Sequence, residues 1–362
     1  MNVSADRVRQ QILNILLAWG MAEDLATTTA DAMVETDLLG VDSHGISMLM
    51  AYEQRVVEKR LNLNARPKIV RENACTALVD GDAGLGHPIS VFAMNLAVDK
   101  ALQAGVGVVG VRNSHHFGAA GVYARIAARR GVIGMVTSAT RGISMVPTRA
   151  AVPVLGTNPI AFAAPAKRNR PFVLDMATTT VAANKVKVWD LNNRTMPSGW
   201  VVDGDGRVVT DPKRGMEIVF KEKEGGLTPL GGTPELGSHK GYGLAVMVHI
   251  LGGALTGASF SPIRERDHRP GQPDNLGHFF MALDQRAFRD EGEFEADLDD
   301  VIDILHETPP ADPAKPVLVA GDPEEMERER RLREGIPIPE TLDRLIRGIC
   351  ERSGAAYVLA DA

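Results

Sequence analysis

The sequence predicts a mixed α/β protein, and three observations carry that prediction. Segments with apolar residues at helical spacing alternate with short continuous apolar runs, the pattern of helices laid over a buried sheet. At 362 residues the chain exceeds what one hydrophobic core ordinarily organises, so two or three packed regions are expected. Hydrophobic content of 44% with 36 glycines and 24% charged residues is the composition of a glycine-rich globular enzyme, not of a disordered or fibrous chain.

Ser4 stands where it can cap a first helix, because Val8, Ile12, Leu13 and Leu16 recur at helical spacing after it. A second helix is expected over Glu23 to Leu39, stopped by Gly40, and a third over Ile46 to Glu58. The joint Val41 to Gly45 between them places His44 at a helix N-terminus, where the local positive potential lowers an imidazole pKa and favours anions. Lys68 to Val70 and Thr76 to Asp80 read as strands, and Gly81 to Gly86 as a glycine loop opening a helix over Pro88 to Gln103. Then follow a buried strand at Val106 to Val111, a helix at Gly118 to Arg130 and buried strands at Val132 to Thr137, Ile160 to Ala164 and Phe172 to Asp175. Leu191 to Lys223, rich in Gly, Asp and Pro, reads as a long excursion able to act as a flap. An apolar helix from Lys240 to Gly257, a strand at His278 to Asp284, and amphipathic helices around Phe294 to Leu305, Glu324 to Glu334 and Glu340 to Glu351 complete the chain, with Pro309 to Pro316 as a linker. These elements group into an N-terminal helical region (1–75), a central α/β region (76–300) that carries the binding sites, and a C-terminal helical region (301–362) packing back on the first.

Several function classes fall away. The net charge of −6 is spread evenly and aromatics are only 5% of residues, so there is no basic footprint for nucleic acid. Cys75 and Cys350 have neither metal nor redox spacing, which fits a reducing cytoplasm. Met1 to Trp19, with Asp6, Arg7 and Arg9 in an amphipathic pattern, reads as neither a signal nor a transit peptide. The longest apolar run, Leu244 to Ala258, is broken by His249 and glycines and is shorter than the roughly 20 residues that span a bilayer, so no membrane association is expected.

Gly105-Val106-Gly107-Val108-Val109-Gly110 matches a dinucleotide fingerprint literally, but its glycines follow a helix and run into a strand, the reverse of the required order. Arg129 and Arg130 stand about where an acidic ribose partner is wanted, roughly 20 residues on. Asp42, Ser43 and His44 cannot converge as a hydrolytic triad because they are consecutive, and no nucleophile elbow exists. Ser43 is left either as a helix cap or as a contact to the histidine or substrate. His115 and His116 point apart as neighbours and lack the helical pair spacing of a zinc site, so no metal is expected.

What remains is a pair of glycine-flanked histidine signatures, Ser43-His44-Gly45 and Ser114-His115-His116-Phe117-Gly118, each at a junction between elements. An imidazole titrates near neutrality and suits proton exchange with a substrate oxygen. Asp175, ending an apolar strand, is placed either to fix a histidine tautomer or to cap the next turn. Met176-Ala177-Thr178-Thr179 offers main-chain N–H groups and hydroxyls to a phosphate or ribose, and His239 with Lys240 offers charge ahead of a glycine-rich helix.

Together with Gly156-Thr157-Asn158-Pro159, His239-Lys240-Gly241-Tyr242-Gly243-Leu244 and Gly277-His278-Phe279-Phe280, these motifs resemble, in order along almost the whole chain, the malate/L-lactate dehydrogenase family that also contains ureidoglycolate and sulfolactate dehydrogenases. The resemblance implies an NAD- or NADP-dependent oxidoreductase with a non-Rossmann dinucleotide-binding fold, a mixed, largely antiparallel sheet between N-terminal and C-terminal helical layers, and a homodimer. It implies His44 as proton donor, supported by Ser43 and Asp175, or His116 as base in ureidoglycolate-type members, and it brings the Gly321-Asp322 turn near the cofactor. The implied substrate is a small 2-hydroxy or 2-keto acid, malate- or lactate-like; the alternatives are a cyclic imino acid reductase and a non-catalytic dinucleotide-binding homologue. Family members commonly carry an arginine one turn after the motif histidine, where this chain has Met48. Methionine cannot make the bidentate carboxylate contact, so malate-type substrates are expected to be used less well than monocarboxylates or imino acids, with Arg141, beside Thr140, as the candidate replacement cation.

Overall fold

The computed structural model describes residues 1–267 and 271–360. The chain opens with a short strand β1 (Asn2–Val3), then α1 (Ala5–Ala18) and α2 (Glu23–Leu38). Ser4 occupies the N-cap of α1, yet its hydroxyl makes no cap bond, and only its carbonyl serves the first turn. Gly40, at φ +80°, turns the chain out of α2 in the left-handed conformation that glycine adopts freely. The third helix starts later than expected: a 3₁₀ turn over Ile46–Met48 precedes α3 (Leu49–Val57).

Strands β2 (Lys68–Glu72) and β3 (Thr76–Gly84) form a hairpin, followed by α4 (Gly86–Ala104), β4 (Val106–Ser114), α5 (Ala120–Arg129), β5 (Ile133–Ala139), β6 (Ile160–Ala164) and β7 (Phe172–Met176). The expected loop at Gly81 to Gly86 is instead the end of β3. Asp82 and Ala83, both at φ +54°, make an irregularity there that shifts the pairing with β4 without ending the strand.

The predicted excursion over 191–223 is a folded lobe, not a bare flap. After α6 (Ala183–Leu191) it contains strands β8 (Val201–Val202) and β9 (Val208–Val209) and helix α7 (Pro212–Lys221), and β10 (Gly226–Leu227) completes a three-stranded sheet. Its own apolar cluster of Val186, Met196, Trp200, Ile218 and Leu227 holds it together. The run of Gly and Pro concealed this because the strands are only two residues long.

Helix α8 (His239–His249) continues as a π-helical turn over Ile250–Ala254, so the single helix expected there is interrupted. Helix α9 (Ser261–Asp267), strand β11 (Leu276–Leu283), α10 (Glu293–Glu307), α11 (Asp322–Glu334), β12 (Ile336–Pro337) and α12 (Glu340–Ser353) follow.

The main sheet has seven strands in the order β2-β3-β4-β11-β5-β6-β7, antiparallel throughout except for β3 with β4. This is the mixed, largely antiparallel sheet that the family resemblance implied. Helices α4 and α5 cover it through Ile89, Met94, Val98 and Tyr123 against Val109, Val136 and Phe280. A second cluster joins Val8, Ile12 and Leu16 of α1 to Met33, Leu49, Ile346 and Ile349, so α12 packs on the N-terminal helices. Of the fingerprint-like glycines, Gly105 caps α4 at φ +83° and Gly107 and Gly110 lie inside β4, where a Cβ on Gly107 would run into the Ala97 carbonyl of α4. Gly107→Ala is therefore expected to cost about 1–3 kcal/mol in a urea titration, as overpacking does; an unchanged midpoint would contradict this close approach.

Pairing fixes direction as well as order. Because β11 is antiparallel to both β4 and β5, and β7 is two antiparallel steps from β5, the C-terminal ends of β4, β5 and β7 and the start of β11 reach one edge of the sheet. The candidate site lies at that edge.

Candidate active site

A cavity of about 630 Å³ opens there, lined from five directions: His44, Met48, Tyr52 and Arg55 around α3, His115 to Gly121 from the end of β4 into α5, Thr140 and Arg141 after β5, Asp175 to Ala177 at the end of β7, and Val219 and Phe220 from α7. Its volume is within the roughly 300–1,000 Å³ of small-molecule sites. Among the described residues no group of three or more His, Cys, Asp and Glu side chains is arranged for a metal ion, and no helix is long and apolar enough to cross a membrane.

His44 and His116, far apart in sequence, stack with ring centroids 5.5 Å apart. Ser43 Oγ lies 2.7 Å from His44 Nδ1, so the serine contacts the histidine and does not cap a helix. Burial lowers the His44 pKa. The helix-end potential expected for this effect is not its cause, since only a short 3₁₀ turn follows His44.

His116 has a different hydrogen-bond setting. Its Nδ1 accepts from the Gly118 N–H at 3.3 Å and lies 2.8 Å from the Tyr52 hydroxyl. With a main-chain donor already pointing at Nδ1, the neutral ring carries its proton on Nε2, and Tyr52 donates. Burial, then the neighbouring His44, His87 and His278, hold its pKa well below the ordinary value. Burial likewise takes His87 and His278 down to about 3. His278 is tied between Ser138 Oγ at 2.9 Å and Ser114 Oγ at 3.0 Å and stacks on Phe117, a structural role.

The charged end of the cavity converges on Asp274. Arg60 contacts its carboxylate closely, Arg141 Nε lies 2.9 Å from Oδ1, Arg55 Nε 3.7 Å and His115 Nδ1 3.4 Å from Oδ2. Burial alone would oppose ionisation, but the His115 hydrogen bond and the arginine charges hold Asp274 well below the usual carboxylate range. Glu58 pairs with both Arg55 and Arg60, each at 3.3 Å. Three guanidinium groups thus face two carboxylates, leaving one positive charge in excess. Tyr52 and Arg55 escaped the sequence reading although they share the helical face of Met48, which their spacing reveals. Asp274 has no local signal, since only the tertiary fold brings it to these cations.

Asp175 is not a partner of either histidine. Its Oδ2 accepts from the Gly121 N–H in the first turn of α5 at 2.7 Å, and a Cβ on Gly121 would sit 2.8 Å from it. Although the side chain is open to the cavity, the surrounding protein pushes its carboxyl up to about 6. Tautomer control of His44 by Asp175 is thereby replaced by a cap on α5. Met176 and Ala177 line the cavity, but Thr178 and Thr179 are buried with their hydroxyls spent on the Thr157 and Val181 carbonyls. His239 and Lys240 are exposed at the start of α8, away from the cavity lining. Asp322 lines a smaller neighbouring cavity, bound to His306 Nε2 at 2.7 Å, while Gly321, at φ +106°, packs against Val173 of β7. Glu324, in the first turn of α11, does reach the main cavity.

Comparison with known proteins agrees with this architecture. Residues 3–346 match the family model described as malate/L-lactate dehydrogenase. A malate dehydrogenase of Pyrococcus horikoshii is 37% identical over 97% of this chain and 95% of its own length. A malate/(S)-sulfolactate dehydrogenase of Methanothermus fervidus is 34% identical over 97% of this chain and 98% of its own. The crystal structure of malate dehydrogenase from Entamoeba histolytica superposes with a TM-score of 0.93 at 32% identity, covering 98% of this chain and 99% of that one.

Proposed function

This chain belongs to the malate/L-lactate dehydrogenase family and is an oxidoreductase, and from that membership we propose an NAD- or NADP-dependent dehydrogenase that oxidises a small 2-hydroxy acid at the His44–His116 cavity. The observation that carries this reading is the stacking of the His44 and His116 rings, with centroids 5.5 Å apart, in a cavity with an arginine-rich end. With Nδ1–H donated to Ser43, His44 keeps a lone pair on Nε2 to take the hydroxyl proton. His116, with its proton on Nε2, can donate to the same oxygen as it becomes a carbonyl. Arg141 and Arg55 would hold the substrate carboxylate.

The small residues Gly118 to Gly121, the β7 end at Asp175 to Ala177, and Ala182 to Asn184 leave main chain open to close approach along the cavity wall, which fits a nicotinamide dinucleotide. Such a cofactor supplies the hydride acceptor when bound. The protein's part is to exclude water and hold the proton acceptor in place.

The test is a panel of 2-hydroxy acids with NAD⁺ and NADP⁺, and of 2-keto acids and cyclic imines with the reduced cofactors, followed by nicotinamide absorbance. Turnover of 2-hydroxy acids is expected; turnover confined to cyclic imines, or none at all, would reject the reading. Tyr52→Phe removes one donor to His116 Nδ1 and is expected to lower kcat about tenfold, the worth of one such hydrogen bond. An unchanged kcat would mean that the Gly118 N–H alone holds His116 in its tautomer and that the Tyr52 bond adds nothing to turnover.

A further inference from the structure

Helix α11 carries a buried arginine that none of the chemistry above employs. Arg331 is 5% exposed, and its guanidinium reaches the segment between α2 and the 3₁₀ turn. Its Nη1 donates to the Asp37 carbonyl at 2.7 Å and, closely, to one Asp42 oxygen, while Nη2 lies 3.2 Å from the other. Glu327, also on α11, steadies Nε at 2.5 Å. Asp42 directly precedes Ser43 and His44.

The same segment is fixed at its two ends. The Asp37 carboxylate accepts the Ile46 N–H at 2.8 Å and lies so close to Gly45 that any Cβ there would collide with it. At the other end Gly40 leaves only enough room for Glu327, since a Cβ would come 2.8 Å from the Glu327 Cγ. Every one of these restraints comes from α2 or α11. The first turn of α11 is itself anchored beside the cavity, where Glu324 lines it and Glu325 pairs with Arg125 of α5.

We infer that Arg331 and Asp37 are positioning residues for His44, clamping residues 40–46 in the backbone conformation that presents the imidazole to the cavity and Ser43 Oγ to its Nδ1. The inference rests on His44 being the proton acceptor. A reacting group displaced by about 1 Å can lose on the order of 100-fold in rate, so a clamp on the chain before His44 acts on turnover without touching substrate. Charge of the right sign is not enough: the Arg331 guanidinium meets both Asp42 oxygens through Nη1 and Nη2 while Nη1 also holds the Asp37 carbonyl and Nε holds Glu327, a set that a single lysine ammonium cannot reproduce in full.

Arg331→Met, Arg331→Lys and Asp42→Asn test it through kcat, the KM for cofactor, thermal stability and the His44 titration followed by its C2–H NMR signal. Arg331→Met is expected to lower kcat roughly 30-fold with the cofactor KM unchanged, Arg331→Lys to recover part of that loss. The His44 pKa should rise towards its ordinary value as the loosened loop hydrates. A folded Arg331→Met protein of reduced thermal stability but unchanged kcat, or a loss confined to cofactor KM, would overturn the inference. If Arg331→Met does not fold, Asp42→Asn takes the charge and one of the two acceptor oxygens from the Arg331 contact at a largely exposed side chain and should lower kcat about fivefold; an unaltered kcat there is equally fatal. Should the wild-type protein turn over no hydroxy acid, the functional reading fails, while the NMR titration still decides: an unshifted His44 in Arg331→Met rules the clamp out.

Discussion

Replacing His44 with alanine is expected to lower 2-hydroxy acid oxidation by about 10²–10⁴-fold while leaving the fold intact, the range a positioned general base contributes. His116→Ala should fall by roughly 100-fold or more through loss of the Nε2–H donor. Asp175→Asn should matter far less, because its carboxyl caps α5 and touches neither ring. The pH dependence follows from the direction of the His44 shift. Its pKa lies below 6.5, so the neutral, proton-accepting form predominates at neutrality and persists below it. For oxidation, kcat/KM should therefore stay level as pH falls to about 6.5 and drop only as the imidazole protonates. Reduction needs the protonated ring and should fall as pH rises through the same pKa. A His44→Ala enzyme with near wild-type turnover, or one that keeps the acid limb, would remove His44 from the mechanism.

The sheet was legible wherever a strand is a continuous apolar run, as in Val106 to Val111, buried on one face and half-buried on the other, or Ile160 to Ala164, buried at all but Phe162, because cover on both faces leaves an apolar stretch that turns punctuate. The lobe between α6 and β10 was not, since two-residue strands carry no periodicity. In the site, glycine-flanked histidines at element ends were legible as local patterns, and the structure brings His44 and His116 together. What stayed hidden depends on tertiary approach. Asp175 finds the α5 N-terminus in place of a histidine, Asp274 gathers arginines from two separate segments, and Arg331 reaches the His44 loop from near the far end of the chain. Sequence spacing predicts partners on one element; between elements it predicts only that a buried charge must find one.

On the proposed reading, the substrate's charge is decided at the Asp274 end of the cavity. Met48 lines the wall one turn after the histidine loop and supplies no cation there, while Arg55, on the same face of α3, is shared between Asp274 and Glu58. Arg141 has Asp274 as its ion-pair partner and a side chain 36% exposed, so it is the guanidinium most able to turn to a ligand. One excess positive charge suits a single carboxylate, and a dicarboxylate would bring a second anion with no cation left to meet it. Arg141→Ala is accordingly expected to lower kcat/KM for a 2-hydroxy monocarboxylate by about 1.5–3 kcal/mol, roughly 10–150-fold, with Arg55→Ala costing less. Met48→Arg adds the missing cation and should shift preference towards malate-type dicarboxylates. The measurement is kcat/KM for matched mono- and dicarboxylates in each variant. A wild-type enzyme that strongly prefers malate and is indifferent to Arg141→Ala would show that the substrate anion is held elsewhere.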